Sequence, residues 1–219
     1  MTTRDWVKLY FSEKSAIALA IETGAIERLA EAVIRCYETD GTVYICANGG
    51  AAGAAEGFAT DLKTHPFVAE DKSVTTAIRR LRVVCLTESA GVITGISNDL
   101  GYGQIFVEQL KNYLRGPDVN GHDVFIAFSG SGNSKNVLEA FEFAKAHGVT
   151  TACVAGRGGG RAKEAADICI VVPGTSHFPG QTGGNDNNFH IEDFQVSVTH
   201  IVTGLLKQHV LAAVAARRG

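Results

Sequence analysis

Apolar and polar residues follow two different periods along this chain. Up to about residue 40, apolar residues recur every three or four positions, which predicts two helices. Beyond residue 41, short runs rich in β-branched residues alternate with segments of helical period. The predicted strands are Thr42–Ala47, Arg82–Leu86, Asp123–Phe128, Thr151–Ala155 and Ile168–Val172. The predicted helices among and after them are Ala51–Lys63, Gln104–Leu114, Asn133–His147 and Ile191 to about Ala216.

This order of elements predicts an α/β fold. The strands are almost wholly apolar, as in strands covered on both faces, and alternating β and α units give parallel sheets with right-handed crossovers. We predict a three-layer αβα sandwich around a five-stranded parallel sheet, formed by residues 41–219. Residues 1–40 add N-terminal helices, so that residues 1–219 form a single domain. Ligands of such sheets bind at the carboxyl ends of the strands, where candidate residues are therefore sought.

Composition and charge narrow the class of protein. The formal net charge of −3 over 219 residues excludes a basic surface for nucleic acid. No apolar run approaches the ~18 residues of a membrane span, so we predict no membrane partner. The five cysteines are scattered through apolar runs without a C-x-x-C pair, which indicates reduced thiols and a cytoplasmic location.

The segment Ser129–Ser134 has the composition of an anion-binding loop. It follows a predicted strand and immediately precedes a predicted helix. Backbone amides at a helix N-terminus, the helix dipole and several hydroxyls together favour a phosphate or carboxylate. The alternative is an ordinary helix cap and turn, which would need one serine. No lysine or arginine lies within the loop, which suits a monophosphate better than a triphosphate with magnesium.

Other candidate positions have an ordinary interpretation that is about as good as the functional one. Asn48–Gly53 follows the first strand, either as a tight turn or as a loop that approaches a ligand closely. Asp99 is suited to accept hydrogen bonds from sugar hydroxyls, or to form a turn. On the last helix, Glu192 and His200 lie beside the core face, where a histidine is usually inert.

Together, the Asn48-Gly49-Gly50 turn, the serine loop and the last helix with Glu192 and His200 resemble the sugar isomerase (SIS) family. The resemblance covers nearly the whole chain and is strongest to the phosphoheptose isomerases within that family. It implies an aldose–ketose isomerase that acts on sedoheptulose 7-phosphate or a related phosphorylated sugar. It also implies a homotetramer, in which the helices of residues 1–40 pack between subunits.

The resemblance further implies roles for individual residues. It makes Asp61 the general base and His200 an acid or base at the substrate oxygen. Its substrate contacts fall on Asn48, Gly49, Gly50, Asn98, Asp99, Ser129, Gly130, Ser131, Ser134 and Glu192. The predicted reaction requires no cofactor. Some members of the family bind zinc, but their histidine ligand corresponds to Gly57 here, so the remaining candidate zinc ligands are Asp61, Glu192 and His200.

Four positions depart from the family pattern. Asp61 stands where the isomerases have glutamate, which shortens the side chain by about 1.5 Å. Ala51, Gly130 and Glu192 stand in place of serine, threonine and glutamine. These differences motivate a second hypothesis, that the chain is a non-catalytic SIS protein that binds a sugar phosphate as a regulator or assembly protein. The first hypothesis predicts turnover of a ketose phosphate, and the second predicts binding without turnover.

Overall fold

The computed structural model describes residues 1–69, 78–116, 119–181 and 187–216. Within these ranges two N-terminal helices precede a series of β/α units. The α-helices are α1 (Thr3–Ala20), α2 (Thr23–Glu38), α3 (Ala51–Thr64), α4 (Ala90–Leu100), α5 (Val107–Leu110), α6 (Lys135–Ala146), α7 (Ala162–Ala165) and α8 (Asn188–Ala216). The strands are β1 (Thr42–Ala47), β2 (Arg82–Cys85), β3 (Val124–Ser129), β4 (Thr150–Ala155) and β5 (Ile168–Val171).

These five described strands form one parallel sheet in the order β2-β1-β3-β4-β5. The predicted α/β fold with a five-stranded parallel sheet is therefore confirmed, and β1 has the predicted bounds. The winding of the chain reverses between β1 and β3. Ligands of such sheets bind outside the carboxyl ends of the strands at this reversal. The segments that leave β1 and β3 there are Asn48–Gly50 and the serine loop, Ser129–Ser134.

Helices cover both faces of the sheet, which makes a three-layer structure. Along β1, Val43 and Ile45 belong to the apolar core formed with α2, α3 and α8. Tyr44 and Cys46 belong to the core formed on the opposite face with α5 and α6. Because both faces are buried, the strands are apolar at consecutive positions, and this is why they carry no alternating pattern in the sequence.

The last helix, α8, is a core helix of one layer. It packs against α2 and α3, and its residues Val198, Val202 and Leu206 are buried. By length and composition alone, α8 is able to cross a membrane, with a mean hydropathy of 1.2 over 18 residues. The core residues on the side facing α2 and α3 contribute to that hydropathy.

Two predictions from the sequence need correction or restriction. The helix predicted over Gln104–Leu114 was wrong, since only Val107–Leu110 forms an α-helix, after a 3-10 turn at Tyr102–Gln104. Ile105, Phe106 and Val107 are buried in succession, which the side chains of a surface helix cannot be. The stretch from Pro173 to Asn188, rich in Gly, Asn and Thr, predicts a long loop. Residues 173–181 form neither helix nor strand, and residues 182–186 lie outside the described residues.

Replacement of Phe141 by alanine should destabilise the fold more than the same change at Phe143, on the same helix. Phe141 is fully buried and its ring meets Phe125 edge-on at 5.5 Å, so its loss leaves a cavity that costs about 3–5 kcal/mol. Phe143 is only half-buried, and its replacement should cost about 1 kcal/mol. Urea denaturation at matched protein concentration measures the free energy of unfolding of both variants. Equal losses of that free energy in the two variants would contradict the assignment of the core.

Candidate functional site

The serine loop is held by its own hydroxyl groups. The Ser129 hydroxyl accepts a hydrogen bond from the backbone amide of Gly132 at 3.2 Å, and it lies 3.5 Å from the Ser134 hydroxyl. The Ser131 hydroxyl accepts from the Asn133 amide at 3.2 Å. Ser134 precedes α6, and its side chain makes no capping hydrogen bond to that helix. Hydroxyls and the amide end of a helix thus meet at one point, as anion binding requires.

A second loop, Gly156–Gly160 after β4, packs directly on the serine loop. The Gly156 amide donates to the Gly130 carbonyl at 3.2 Å. A Cβ atom on Gly132 would overlap the Gly159 carbonyl, and one on Gly160 would overlap the Ser131 carbonyl. Gly132 and Gly160 also have positive φ angles of 65° and 52°. Only glycine allows this backbone contact, which fixes the shape of the serine loop.

The turn after β1 is tied to the same edge of the sheet. The side-chain amides of Asn48 and Asn136 exchange two hydrogen bonds of 2.9 Å, and the Tyr102 hydroxyl donates to Asn48 Oδ1 at 2.8 Å. A Cβ atom on Gly50 would overlap the carboxylate of Glu192, which therefore lies against the start of α3. The structure thus brings Asn48, Gly50 and Glu192 to the edge where the serine loop lies.

Sequence reasoning missed Arg157, which lies beside the serine loop. Its guanidinium donates to Asn188 Oδ1 at 2.7 Å, and that oxygen is 3.4 Å from where a Cβ of Gly130 would stand. The serine loop contains no basic residue, but the fold supplies one from the neighbouring loop. The signal in the sequence was a single arginine within a run of glycines directly after a predicted strand.

The N-terminal helix α1 fixes the start of α8 through a buried carboxylate. Glu13 accepts hydrogen bonds from the Ser176 hydroxyl at 2.7 Å and the His177 amide at 2.7 Å, and it lies 3.0 Å from Nε2 of the buried His190. Burial raises the pKa of Glu13, but these hydrogen bonds outweigh it and hold the pKa below its usual value. A charged Glu13 therefore ties α1 to the turn of α8 between Asn188 and Glu192.

Beside this carboxylate, a second contact joins the same two helices. The Tyr10 hydroxyl donates to Asp193 Oδ2 at 2.8 Å, and Lys14 pairs with the same oxygen at 2.8 Å. Burial and the hydrogen bond to Asp193 raise the pKa of Tyr10, so the phenol remains a donor. The start of α8 is thus anchored by α1 at two residues, His190 and Asp193.

Asp61 and His200 face one cavity, on α3 and α8. His200 Nε2 and Asp61 Oδ2 are 3.9 Å apart, and with His65 and Thr203 they line a cavity of about 290 Å³. The Thr203 hydroxyl is buried without a hydrogen-bond partner among the described residues. The cavity thus combines a carboxylate, two imidazoles and a hydroxyl, which are groups that transfer protons or bind sugar hydroxyls.

The Asp61–His200 cavity lies away from the serine loop within one chain. Glu192 and His200 are eight residues apart on one straight helix, which separates them by about 12 Å along its axis. Asp61 lies eleven residues beyond Gly50, about 16 Å along α3. The spacing of eight residues places Glu192 and His200 on a similar side of α8, but not at one site.

The candidate zinc ligands do not form a metal site within the chain. Among the residues that the structure describes, no group of three His, Cys, Asp or Glu side chains is close enough to hold a metal ion. Glu192 lies at Gly50, whereas His200 lies about 12 Å further along α8, and Asp61 of α3 is 3.9 Å from His200. The predicted set of Asp61, Glu192 and His200 therefore does not fit zinc in this arrangement.

Asn98 and Asp99 lie at the end of α4 and are exposed. Their side chains are joined by a hydrogen bond of 2.9 Å, from Asn98 Nδ2 to Asp99 Oδ1. The helix ends at Gly101, whose φ of 89° turns the chain towards Tyr102 and hence towards Asn48. The structure thus connects these two predicted substrate contacts to the site through Tyr102, and their role in binding stays a prediction.

Comparison with known proteins gives three findings. The family model described as "SIS domain" matches residues 10–156. The phosphoheptose isomerase of Helicobacter pylori strain P12 is 31% identical over 204 residues, which cover 92% of this chain and 94% of that protein. The phosphoheptose isomerase structures from Neisseria gonorrhoeae and Francisella tularensis share the fold, with TM-scores of 0.74 and 0.73 at 24% and 23% identity. They match 94% and 95% of this chain, and 100% of each of those chains.

Replacement of Gly132 by alanine should disrupt the site. The new Cβ would overlap the Gly159 carbonyl at a positive φ, and together these should cost about 2–4 kcal/mol of unfolding free energy. Gly91→Ala is the control, since Gly91 lies in α4 with nothing within 4 Å of a new Cβ. Urea denaturation should show the loss in G132A alone. An unchanged G132A protein would mean that the two loops are not packed as described.

Proposed function

The chain belongs to the SIS domain family, and on that premise we propose that it is a phosphoheptose isomerase. This membership confirms the resemblance inferred from the sequence. The reaction interconverts sedoheptulose 7-phosphate and the corresponding aldose 7-phosphate. The observation that carries the proposal is the pairing of Asp61 with His200 in one cavity, in a fold that also presents a phosphate-binding serine loop.

The chemistry of an aldose–ketose isomerase matches this pair of side chains. A proton moves between C1 and C2 of the sugar through an enediol, while another proton is exchanged at the neighbouring oxygen. Asp61 acts as the base at carbon, and His200 exchanges the proton at oxygen. The separation of 3.9 Å keeps the two groups close enough to act on adjacent atoms of one substrate. The proton transfer uses no cofactor.

The phosphate of the substrate binds at the serine loop. Ser129, Ser131 and Ser134 offer hydroxyls, and the start of α6 offers backbone amides. Asn48 and Glu192 at the same edge are placed to contact sugar hydroxyls. This binding fixes the far end of the sugar, so that its reacting carbons are held in position.

The geometry supports a homotetramer in which subunits share sites. A seven-carbon sugar with its phosphate spans about 10 Å. The serine loop and the Asp61–His200 cavity of one chain are further apart, since twelve residues of α8 separate Asn188 from His200, or about 18 Å. A second copy that brings its Asp61 and His200 to this serine loop would complete the site. Exposed apolar residues suited to such contacts are Val7, Phe11 and Leu19 on α1 and Val196, Ile201 and Leu205 on α8.

Replacement of His200 by alanine, or of Asp61 by asparagine, should lower kcat about 10²- to 10⁴-fold, because each removes one proton-transfer group. The assay incubates the protein with sedoheptulose 7-phosphate and follows the aldose product by NMR. His122→Ala is the matched control, since His122 is exposed beside β3 at the opposite edge of the sheet.

Wild-type protein that binds the sugar phosphate tightly without turnover would instead support the regulator or assembly protein. Glu192, which lies at Gly50, motivates that alternative because it stands where the family's isomerases have glutamine.

The shared site predicts that two inactive variants restore activity when they are mixed. A Ser129→Ala/Ser131→Ala protein keeps Asp61 and His200, whereas H200A keeps the serine loop. Mixed tetramers formed by unfolding and refolding the two together should regain part of the wild-type turnover. Light scattering should give about four times the chain mass of 23.1 kDa. A monomer at micromolar concentration, or no recovery in mixed tetramers, would contradict the shared site.

A further inference from the structure

Arg157 has a backbone conformation that its own residue type disfavours. Its φ is 51°, in the left-handed region, where the backbone of a residue with a Cβ atom is strained. The other four residues of the Gly156–Gly160 loop are glycines, for which that region is open. A glycine at position 157 would suit the backbone better. An arginine at such a position is therefore best explained by what its side chain does.

The side chain of Arg157 is directed to the serine loop by Asn188. The amide oxygen of Asn188 accepts from Arg157 at 2.7 Å, and it lies 3.4 Å from the Cβ position of Gly130. Asn188 is the first residue of α8, whose start is anchored by Glu13. The guanidinium thus rests on a fixed support beside the Gly130 backbone.

The serine loop has no positively charged side chain, so a cation beside it would help to balance the charge of a phosphate. The serine loop supplies hydroxyls and amides, whose dipoles alone would have to balance a phosphate that carries up to two negative charges. Lys135, the next basic residue along the chain, lies 3.5 Å from Glu139, one turn further along α6. Arginine is the side chain best suited to a phosphate, since its planar fork can donate two parallel hydrogen bonds.

We propose that Arg157 binds the substrate phosphate at the serine loop and makes the protein select phosphorylated over unphosphorylated sugars. This assignment rests on the proposed function, because it names the group that recognises the phosphate of the same substrate. Arg157 contributes to binding in the ground state and in the transition state alike. Its loss should therefore raise KM and leave kcat nearly unchanged.

The experiment compares four proteins in the isomerase assay. In R157Q, the KM for sedoheptulose 7-phosphate should rise about 10- to 100-fold, as expected for the loss of a charged hydrogen-bond donor. R157K should recover part of that loss. R157G removes the charge and relieves the backbone strain, so it should show the same KM defect with a Tm at or above that of wild type. R82Q is the control, because Arg82 pairs with Asp40 at the opposite edge of the sheet.

Calorimetric titration of the same sugar phosphate into H200A and into H200A/R157Q measures binding affinity in proteins that lack the proton-transfer group His200. The double variant should bind about 10- to 100-fold more weakly, whereas unphosphorylated sedoheptulose should bind both proteins equally. Wild-type turnover with an unchanged KM in R157Q and R157G would overturn the assignment of Arg157 alone. If the wild-type protein binds the sugar phosphate through Arg157 but does not turn it over, the proposed isomerase function is overturned and the assignment of Arg157 is supported. Neither turnover nor binding in wild type would overturn both.

Discussion

The site depends on the close contact between two backbone loops at the carboxyl edge of the sheet. The loop after β3 and the loop after β4 approach until Gly132 touches the Gly159 carbonyl and Gly160 touches the Ser131 carbonyl. This contact leaves no room for a side chain at Gly132 or Gly160, and it fixes the backbone that carries the serine hydroxyls. The adjacent parallel strands set the spacing of the loops, so the architecture of the sheet determines the shape of the serine loop.

The sequence predicted the sheet and its loops well, because their signals are local. Buried strands are almost wholly apolar, and the serine loop is continuous in the chain, so both can be recognised without the fold. The helix over Gln104–Leu114 was wrong because Ile105, Phe106 and Val107 are buried by tertiary contacts that override helical period. The division into one domain, the location in the cell and the roles of the individual site residues stay predictions.

The relation between distant residues was harder to predict. The spacing of Glu192 and His200 places them on a similar side of α8. Residues on the same side of a helix can still be too far apart along its axis to bind one ligand. Arg157 was missed because its position beside the serine loop depends on a hydrogen bond to Asn188, 31 residues further along the chain. A search for basic residues within the serine loop cannot find a cation that another strand brings beside it. These contacts arise from the order of the strands.

The contact between Glu13 and His190 joins residues 177 positions apart. During synthesis the chain can therefore complete β1 to β5 before His190, which contacts Glu13 of α1, has been made. Until then Glu13 lacks its contact with His190, and the first turn of α8 does not yet exist. This edge of the sheet therefore takes its final form only after the start of α8 has been synthesised, and every shorter chain leaves it incomplete.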